Sequence, residues 1–504
     1  MTAASYHAIY DFALMPYALG DALTWNVQTA IRCEELARDR VDVYLCLDQR
    51  SASNVYQRDF VTLDNSALLF NELFGAFGTH PRLGNVFFYR DRISMIDQLR
   101  QYASEDAALQ KTLNDYERAL ADDEDVKRYF VENVQSHAAI NAFFRKSGRI
   151  PLLGPSMGCE PDVAGLLERR FAGQRVVTFH MRLRRLDIGY GGERTYSRDS
   201  DFVEWFEFLR EAGRRYPDVQ FVAMGRRQEK PLEMLQLPNV TCLRVWGLGL
   251  GHELTLLRRS DLFIGASSGF AAMAHFSETP HFITRITKGA CNAYDVDFGD
   301  KRLPFGNDRQ FLVYEPETRD LLMRLLEQGL AGTPPRSTTR VSALDTTIDV
   351  ASWEWERSQW LYPGATSYRF FDDPDFADKE TAHLLSPCMR EARADWRGGF
   401  VARARTTLER IQANFPRLPG KFPEFLELRR RIALLTRDTA SAQLCEANLI
   451  RLKTQATGKA GIPRTARRYL ARAYPVAMRL KSVWMRKHRL PVKLAHFMRR
   501  LASK

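Results

Sequence analysis

The sequence has few cysteines and spreads them thinly. Its seven, Cys33, Cys46, Cys159, Cys242, Cys291, Cys388 and Cys445, are odd in number and include no Cys-x-x-Cys pair. That pattern argues against a disulfide framework or a structural zinc site and fits a reducing compartment. No run approaches about eighteen consecutive apolar residues, so no helix is expected to span a bilayer. The opening MTAASYHAIYDF lacks a basic stretch followed by an apolar core, so no signal peptide is expected. Low-complexity and collagen-like composition are absent too. With 45% hydrophobic and 27% charged residues the chain reads as an ordinary globular protein, expected in the cytoplasm.

Acidic residues are missing from one stretch in particular. Residues 451–504 hold 16 Lys and Arg and no Asp or Glu; taking these from the overall +12 leaves −4 for the first 450 residues. The basicity therefore belongs to the tail, and the body gives no reason to expect nucleic acid as a partner. At 504 residues the chain exceeds one hydrophobic core, so several domains are expected.

The most informative stretch runs from Arg175 to Arg285. Four short apolar runs, Val176–Phe179, Phe221–Met224, Val240–Val245 and Leu262–Ile264, alternate with helical patterns. Such alternation predicts a parallel sheet with crossover helices, and ligands of these sheets bind beyond the carboxyl ends of the strands. The predicted strand ends carry His180, Arg182, Arg184, Arg185 and Asp187, then Gly225, then Ser267, Ser268 and Gly269. Guanidinium groups beside a small-residue turn that opens a helix suit a diphosphate, through bidentate bonds and backbone N–H groups. Other readings fit the same residues: Arg paired on the surface with Asp187, Glu193 or Asp199, Ser267–Gly269 as a structural turn and cap, and His180 as a core histidine.

The first 48 residues predict strand, turn, helix and strand, with NVFFYRD (85–91) as a third strand and helices from about 93 to 147. The Leu19-Gly20-Asp21 turn is expected to face the same cleft as the strand ends of the second half, making Gly20 an acceptor-loop residue; a plain turn with a capping Asp is the alternative. The domains read as 1–155 and 156–331, both Rossmann-like. A linker and packed loop follow at 332–388, then a helical bundle with a faint tetratricopeptide likeness at 389–454, and a basic tail at 455–504. In the tail, Leu490, Leu494, Phe497, Met498 and Leu501 fall within an arc of about 100° on a helix, with Arg489, Lys493, Arg499 and Arg500 outside it. A basic amphipathic helix suits an anionic membrane surface. A segment docked on the acidic body, or a disordered arm, is the alternative.

The ordered set FHMR (179–182), ERTYSRDSDF (193–202), FVAMG (221–225) and FIGASSG (263–269) resembles the donor domain of fucosyltransferase-like glycosyltransferases of GT-B type. It is closer still to bacterial glycosyltransferases of cell-surface polysaccharide clusters. The resemblance covers about a fifth of the chain. It departs where Leu183 separates Arg182 from Arg184, which leaves the fucose donor open. It implies an α/β fold of two opposed Rossmann-like domains and transfer of a sugar from a nucleotide-diphosphate sugar to a cell-surface glycan or lipid-linked acceptor. Donor binding would fall to His180, Arg182, Arg184, Arg185, Gly225, Ser267, Ser268 and Gly269. Asp21 or Glu193 would be the base for the acceptor hydroxyl. No Asp-x-Asp pair after a strand is expected to hold a metal, so no metal and no cofactor beyond the co-substrate is expected. The competing reading is a non-catalytic nucleotide- or glycan-binding scaffold at the inner membrane face.

Overall fold

A computed structural model describes residues 5–48, 61, 63–121, 123–182, 198–225, 230, 232–336, 385–416 and 422–458. Arg184, Arg185, Asp187, Glu193, most of the 332–388 segment and the tail from residue 459 lie outside the described residues. The described chain divides into two compact units, Met1–Phe425 and Leu426–Lys504.

The first unit opens with β1 (Ser5–Asp11), α1 (Leu19–Glu35), β2 (Arg40–Cys46), α2 (Leu63–Phe77) and β3 (Leu83–Tyr89). Then come α3 (Arg92–Ala103), α4 (Ala107–Ala121), α5 (Asp123–Phe130), a π-helical turn at Val131–Gln135 and α6 (Ala138–Ser147). The strands are parallel in the order β1-β2-β3, with Tyr10 opposite Leu45 and Leu45 opposite Phe88. Aromatic and β-branched residues make these runs strands, because such side chains fill a pleated, covered surface. Tyr10 meets both Trp25 of α1 and Phe77 of α2 edge-on, the arrangement that ring quadrupoles favour.

The second half continues with α7 (Glu160–Arg169), β4 (Arg175–His180), α8 (Phe202–Arg215), β5 (Val219–Ala223), α9 (Leu232–Leu235) and β6 (Val240–Thr241). After these come α10 (Leu250–Arg259), β7 (Leu262–Ala266), α11 (Gly269–His275), β8 (His281–Thr284), α12 (Lys288–Tyr294), β9 (Gln310–Leu312) and α13 (Arg319–Leu330). Six parallel strands lie in the order β6-β5-β4-β7-β8-β9. Counted within this half, that is 3-2-1-4-5-6, the Rossmann order, and its direction reverses between β4 and β7. The expected strand at Val240–Val245 is only two residues long, because Leu243–Trp246 turns into a 3₁₀-helix that ends at Gly247. Two strands, HFIT and QFL, were not expected. They are four and three residues long, too short to carry a periodic signal.

The halves meet with the carboxyl ends of their strands towards each other. The helix that follows β1 and the helix that follows β7 touch at their starts: a Cβ on Gly20 would lie 3.4 Å from the Gly269 Cα. Gly269 is needed there, since its own Cβ would lie 2.7 Å from that of Leu19 and 3.0 Å from the Gly20 nitrogen. This is an α/β fold of two opposed Rossmann-like halves, the GT-B layout, followed by helices.

Those helices are α14 (Ser386–Arg397), α15 (Val401–Asn414), α16 (Pro423–Leu435) and α17 (Thr439–Gly458). The first two pack on the second half. Arg410 of α15 reaches Glu204 at 2.7 Å and Glu207 at 2.6 Å on α8, and the Cys388 thiol donates to Asp201 at 3.2 Å. This pair is part of the body.

Candidate functional site

Where a parallel sheet reverses its strand order, the two loops leaving the central strands part company and a crevice opens. Here the crevice lies between the end of β4 and the end of β7, which are in register at His180 and Gly265. The His180 Nδ1 and the Ser268 hydroxyl bridge the gap at 2.9 Å. Burial, with Lys230 and Arg182 close by, pushes the imidazole down to about 3, so His180 is neutral at ordinary pH. It holds Ser268 rather than supplying charge. Ser267 is held too, its hydroxyl 2.8 Å from that of Tyr294 and its N–H donating to the Thr284 carbonyl. Ser267, Ser268 and Gly269 are therefore brought together at the crevice. The helix they open is only seven residues long, so hydroxyls and backbone N–H groups matter here more than a macrodipole.

Gly225 ends β5 with φ +93, a conformation open to glycine, and its N–H donates to Glu253 at 3.0 Å. Glu253 is fully buried and paired with Arg244 at 2.9 Å. Gly225 thus fixes a loop and touches an internal ion pair. Lys230, 4% exposed, lies at the far side of that loop, within electrostatic reach of His180 and Glu253. Sequence reading passed over it, because a lysine in RRQEK resembles any surface cation.

Arg182 is at the crevice but occupied. Its guanidinium donates to Asp199 at 2.8 Å, and its backbone exchanges bonds with Ser200. The Asp199 side chain is 1% exposed, which makes this a buried pair rather than the surface pair considered from sequence. The same stretch carries an Asp-x-Asp spacing, Asp199-Ser200-Asp201. Both carboxylates are engaged: Asp199 with Arg182, and Asp201 with the Val203 and Glu204 N–H groups at the start of α8.

Facing this crevice is Asp21. The Leu19-Gly20-Asp21 segment is no loop; it is the first turn of α1, entered from Ala18 without a side-chain cap. The difference matters because the helix backbone fixes Asp21 rigidly where a loop would not. Desolvation raises its carboxyl to about 7, and Arg198 pulls against that shift. Among the described residues the Asp21 carboxylate makes no hydrogen bond. Arg198 also acts electrostatically on Tyr294, so this cation is within reach both of the start of α1 and of the partner of Ser267. Sequence reading missed Arg198 as an individual residue. What singles it out is proximity to groups from two other elements.

Glu278, after α11, is exposed. His252 accepts from the Gly249 N–H at 3.3 Å and lies 3.2 Å from Asp162, as a helix-start residue would.

No protein-family model and no curated protein matches the sequence. Among solved structures, the chain is similar to Escherichia coli ADP-heptose lipopolysaccharide heptosyltransferase II, at 12% identity and a TM-score of 0.40, over 65% of this chain and 98% of that one. It is similar also to a family 9 glycosyl transferase from Veillonella parvula, at 12% identity and a TM-score of 0.37, over 66% and 98%. A third is E. coli heptosyltransferase WaaC with ADP-2-deoxy-2-fluoro heptose, at 11% and 0.34, over 64% and 99%. At such identities and scores the overlay is loose, and it assigns no role to any residue of this chain.

Proposed function

We propose that the protein is a glycosyltransferase that moves a sugar from a nucleotide-diphosphate sugar to an acceptor hydroxyl, with Asp21 as the base. The observation that carries this reading is a carboxyl raised to about 7 on the first turn of a helix whose neighbouring Leu19 and Gly20 pack on Gly269 of the opposite half. A general base works best when it titrates near the working pH, and few carboxylates do.

In the proposed reaction the acceptor oxygen attacks the anomeric carbon and its proton passes to Asp21. The bond from that carbon to the diphosphate oxygen breaks, its electron pair leaving with the nucleoside diphosphate. Negative charge grows on the leaving group, so cations preset around it favour the transition state. Arg198, within electrostatic reach of Asp21, and Lys230, within reach of His180, fit this part; Arg182, tied to Asp199, holds the neighbour of Arg198 in place. Arg184 and Arg185 keep the donor roles the resemblance implies for them, and Glu193 stays the alternative base. We take the reaction to be metal-independent and the acceptor to be a surface glycan or a lipid-linked precursor at the inner membrane face, reached through the basic tail.

A thermal-shift screen with GDP, UDP, ADP, CMP and dTDP, with and without EDTA, tests the donor half of this reading. Ligand at 100 times its Kd adds about 2.7 kcal/mol. A selective shift that survives EDTA is expected. No shift with any nucleotide would remove the donor domain, and binding without turnover would favour the scaffold.

A further inference from the structure

We infer that the outer face of α17 is a docking surface for an anionic lipid bilayer, separate from the nucleotide-sugar crevice. The helix is apolar on two sides. One side, Ala442, Cys445, Leu449 and Leu452, forms a small core with Leu426 of α16. Advancing about 100° per residue, Leu444, Ala447 and Ile450 fall on the opposite side. Leu444 is 60% exposed and Ile450 56%, and Ala447 between them is exposed as well. Arg451 is the one charged residue across that face, and Ala440, Gln443 and Thr454 complete it. At the tip of the same hairpin, where α16 ends, Leu434 and Leu435 are 55% and 62% exposed. Globular helices normally set charge opposite their buried stripe, so an apolar outer face asks for an occupant.

Charge selects the occupant. Residues 426–458 contain Arg429, Arg430, Arg431, Arg437, Arg451 and Lys453 against Glu427, Asp438 and Glu446, a net +3. The segment that follows, 459–504, holds 14 Lys and Arg and no acid. Like charge disfavours covering α17 with that tail or with a second copy of the same hairpin. An anionic bilayer satisfies both features, taking the leucines into its interface and the arginines to its headgroups. One weak anchor binds a membrane only marginally, and a basic tail with an adjoining apolar face would supply two.

The test is co-sedimentation of the full chain with vesicles of phosphatidylcholine alone or with 30 mol% phosphatidylglycerol, comparing wild type with the double variant Leu444→Glu/Ile450→Glu. Both positions are more than half exposed, so circular dichroism and the melting midpoint should match wild type. Binding to the anionic vesicles should fall at least tenfold, and Ala447→Leu should strengthen it. Unchanged binding in the double variant overturns the proposal, as does equal binding to neutral vesicles. A dimer in sedimentation velocity that the double variant dissociates, with vesicle binding intact, would assign the face to a second copy. Stronger vesicle binding by the double variant would mean the face normally holds the tail. No substrate enters the assay, so failure here and failure of the transferase reading are distinguishable.

Discussion

Asp11 and Asp21 stand ten residues apart at the same end of the first sheet, and their surroundings could hardly differ more. Asp11 accepts four hydrogen bonds: from the Ala13 N–H at 2.8 Å, two from the Arg92 guanidinium at 2.5 and 3.2 Å, and one from the Tyr116 hydroxyl at 2.6 Å. Arg92 also bonds Asp48 through its backbone N–H at 3.1 Å, closing the sheet end with a saturated network. Asp21 makes no such bond among the described residues, and its carboxyl is raised to about 7. A carboxylate with every lone pair occupied belongs to the scaffold. One that is desolvated and left unbonded costs stability, the pattern expected of the proposed base.

The sharpest way to break this contrast is to neutralise each carboxyl in turn. Asp21→Asn should slow turnover roughly a thousandfold, inside the range of about 10²–10⁴ for losing a general base, with donor binding kept in the thermal-shift assay. Turnover within a few-fold of wild type would move the base elsewhere. Asp11→Ala should leave Arg92 only its longer ion pair with Asp48, at 3.5 Å, and take the buried Tyr116 hydroxyl's acceptor away, at a cost of about 3 kcal/mol in urea unfolding. A change below about 1 kcal/mol would show that Asp11 is no structural latch.

Gly269→Ala sharpens the comparison differently, by prying the two halves apart. The new methyl meets Leu19 and the Gly20 backbone, so we expect a loss of about 1–3 kcal/mol, and reduced turnover as Asp21 shifts from the crevice. Unchanged stability and activity would mean the helix contact is not what sets the base.

The smallest effect is the most diagnostic of Asp21. Its folded-state carboxyl titrates at about 7, above an unfolded value of about 3.9. The native state therefore binds the extra proton, and wild-type stability falls as pH rises from about 4 through about 7. Asn carries no such penalty. Asp21→Asn should match wild type near pH 4 and exceed it by on the order of 1–2 kcal/mol at pH 8, a figure reduced because the carboxyl keeps some contact with water. Parallel pH–stability curves would contradict the raised carboxyl.

The sequence was most legible where strong β-formers run directly into polar motifs. RVVTFH and LFIGASSG told both where strands end and what stands at their ends, and the order of such strands located the crevice. Partners were harder to see. Arg182 and Asp199 are 17 residues apart, with residues 183–198 between them, and no spacing rule connects them. That Asp21 is helical was not legible, since Ala18 offers no capping side chain to mark the start of α1. The π-helical turn and the six-strand count were hidden for a similar reason, because short buried elements are set by their neighbours more than by their own pattern. The two faces of α17 were also obscured, since apolar residues around most of a helix blur the periodicity that reveals a single buried stripe.

The measurement that tests the central claim most directly is the pH dependence of kcat/KM with whichever nucleotide sugar binds, for wild type and Asp21→Asn. The account predicts a wild-type rate that falls tenfold per pH unit below about 7, and a low, flat profile for the variant across the same range. An acid limb that persists unchanged in Asp21→Asn would place the base on another residue and reduce Asp21 to part of the interface between the two halves.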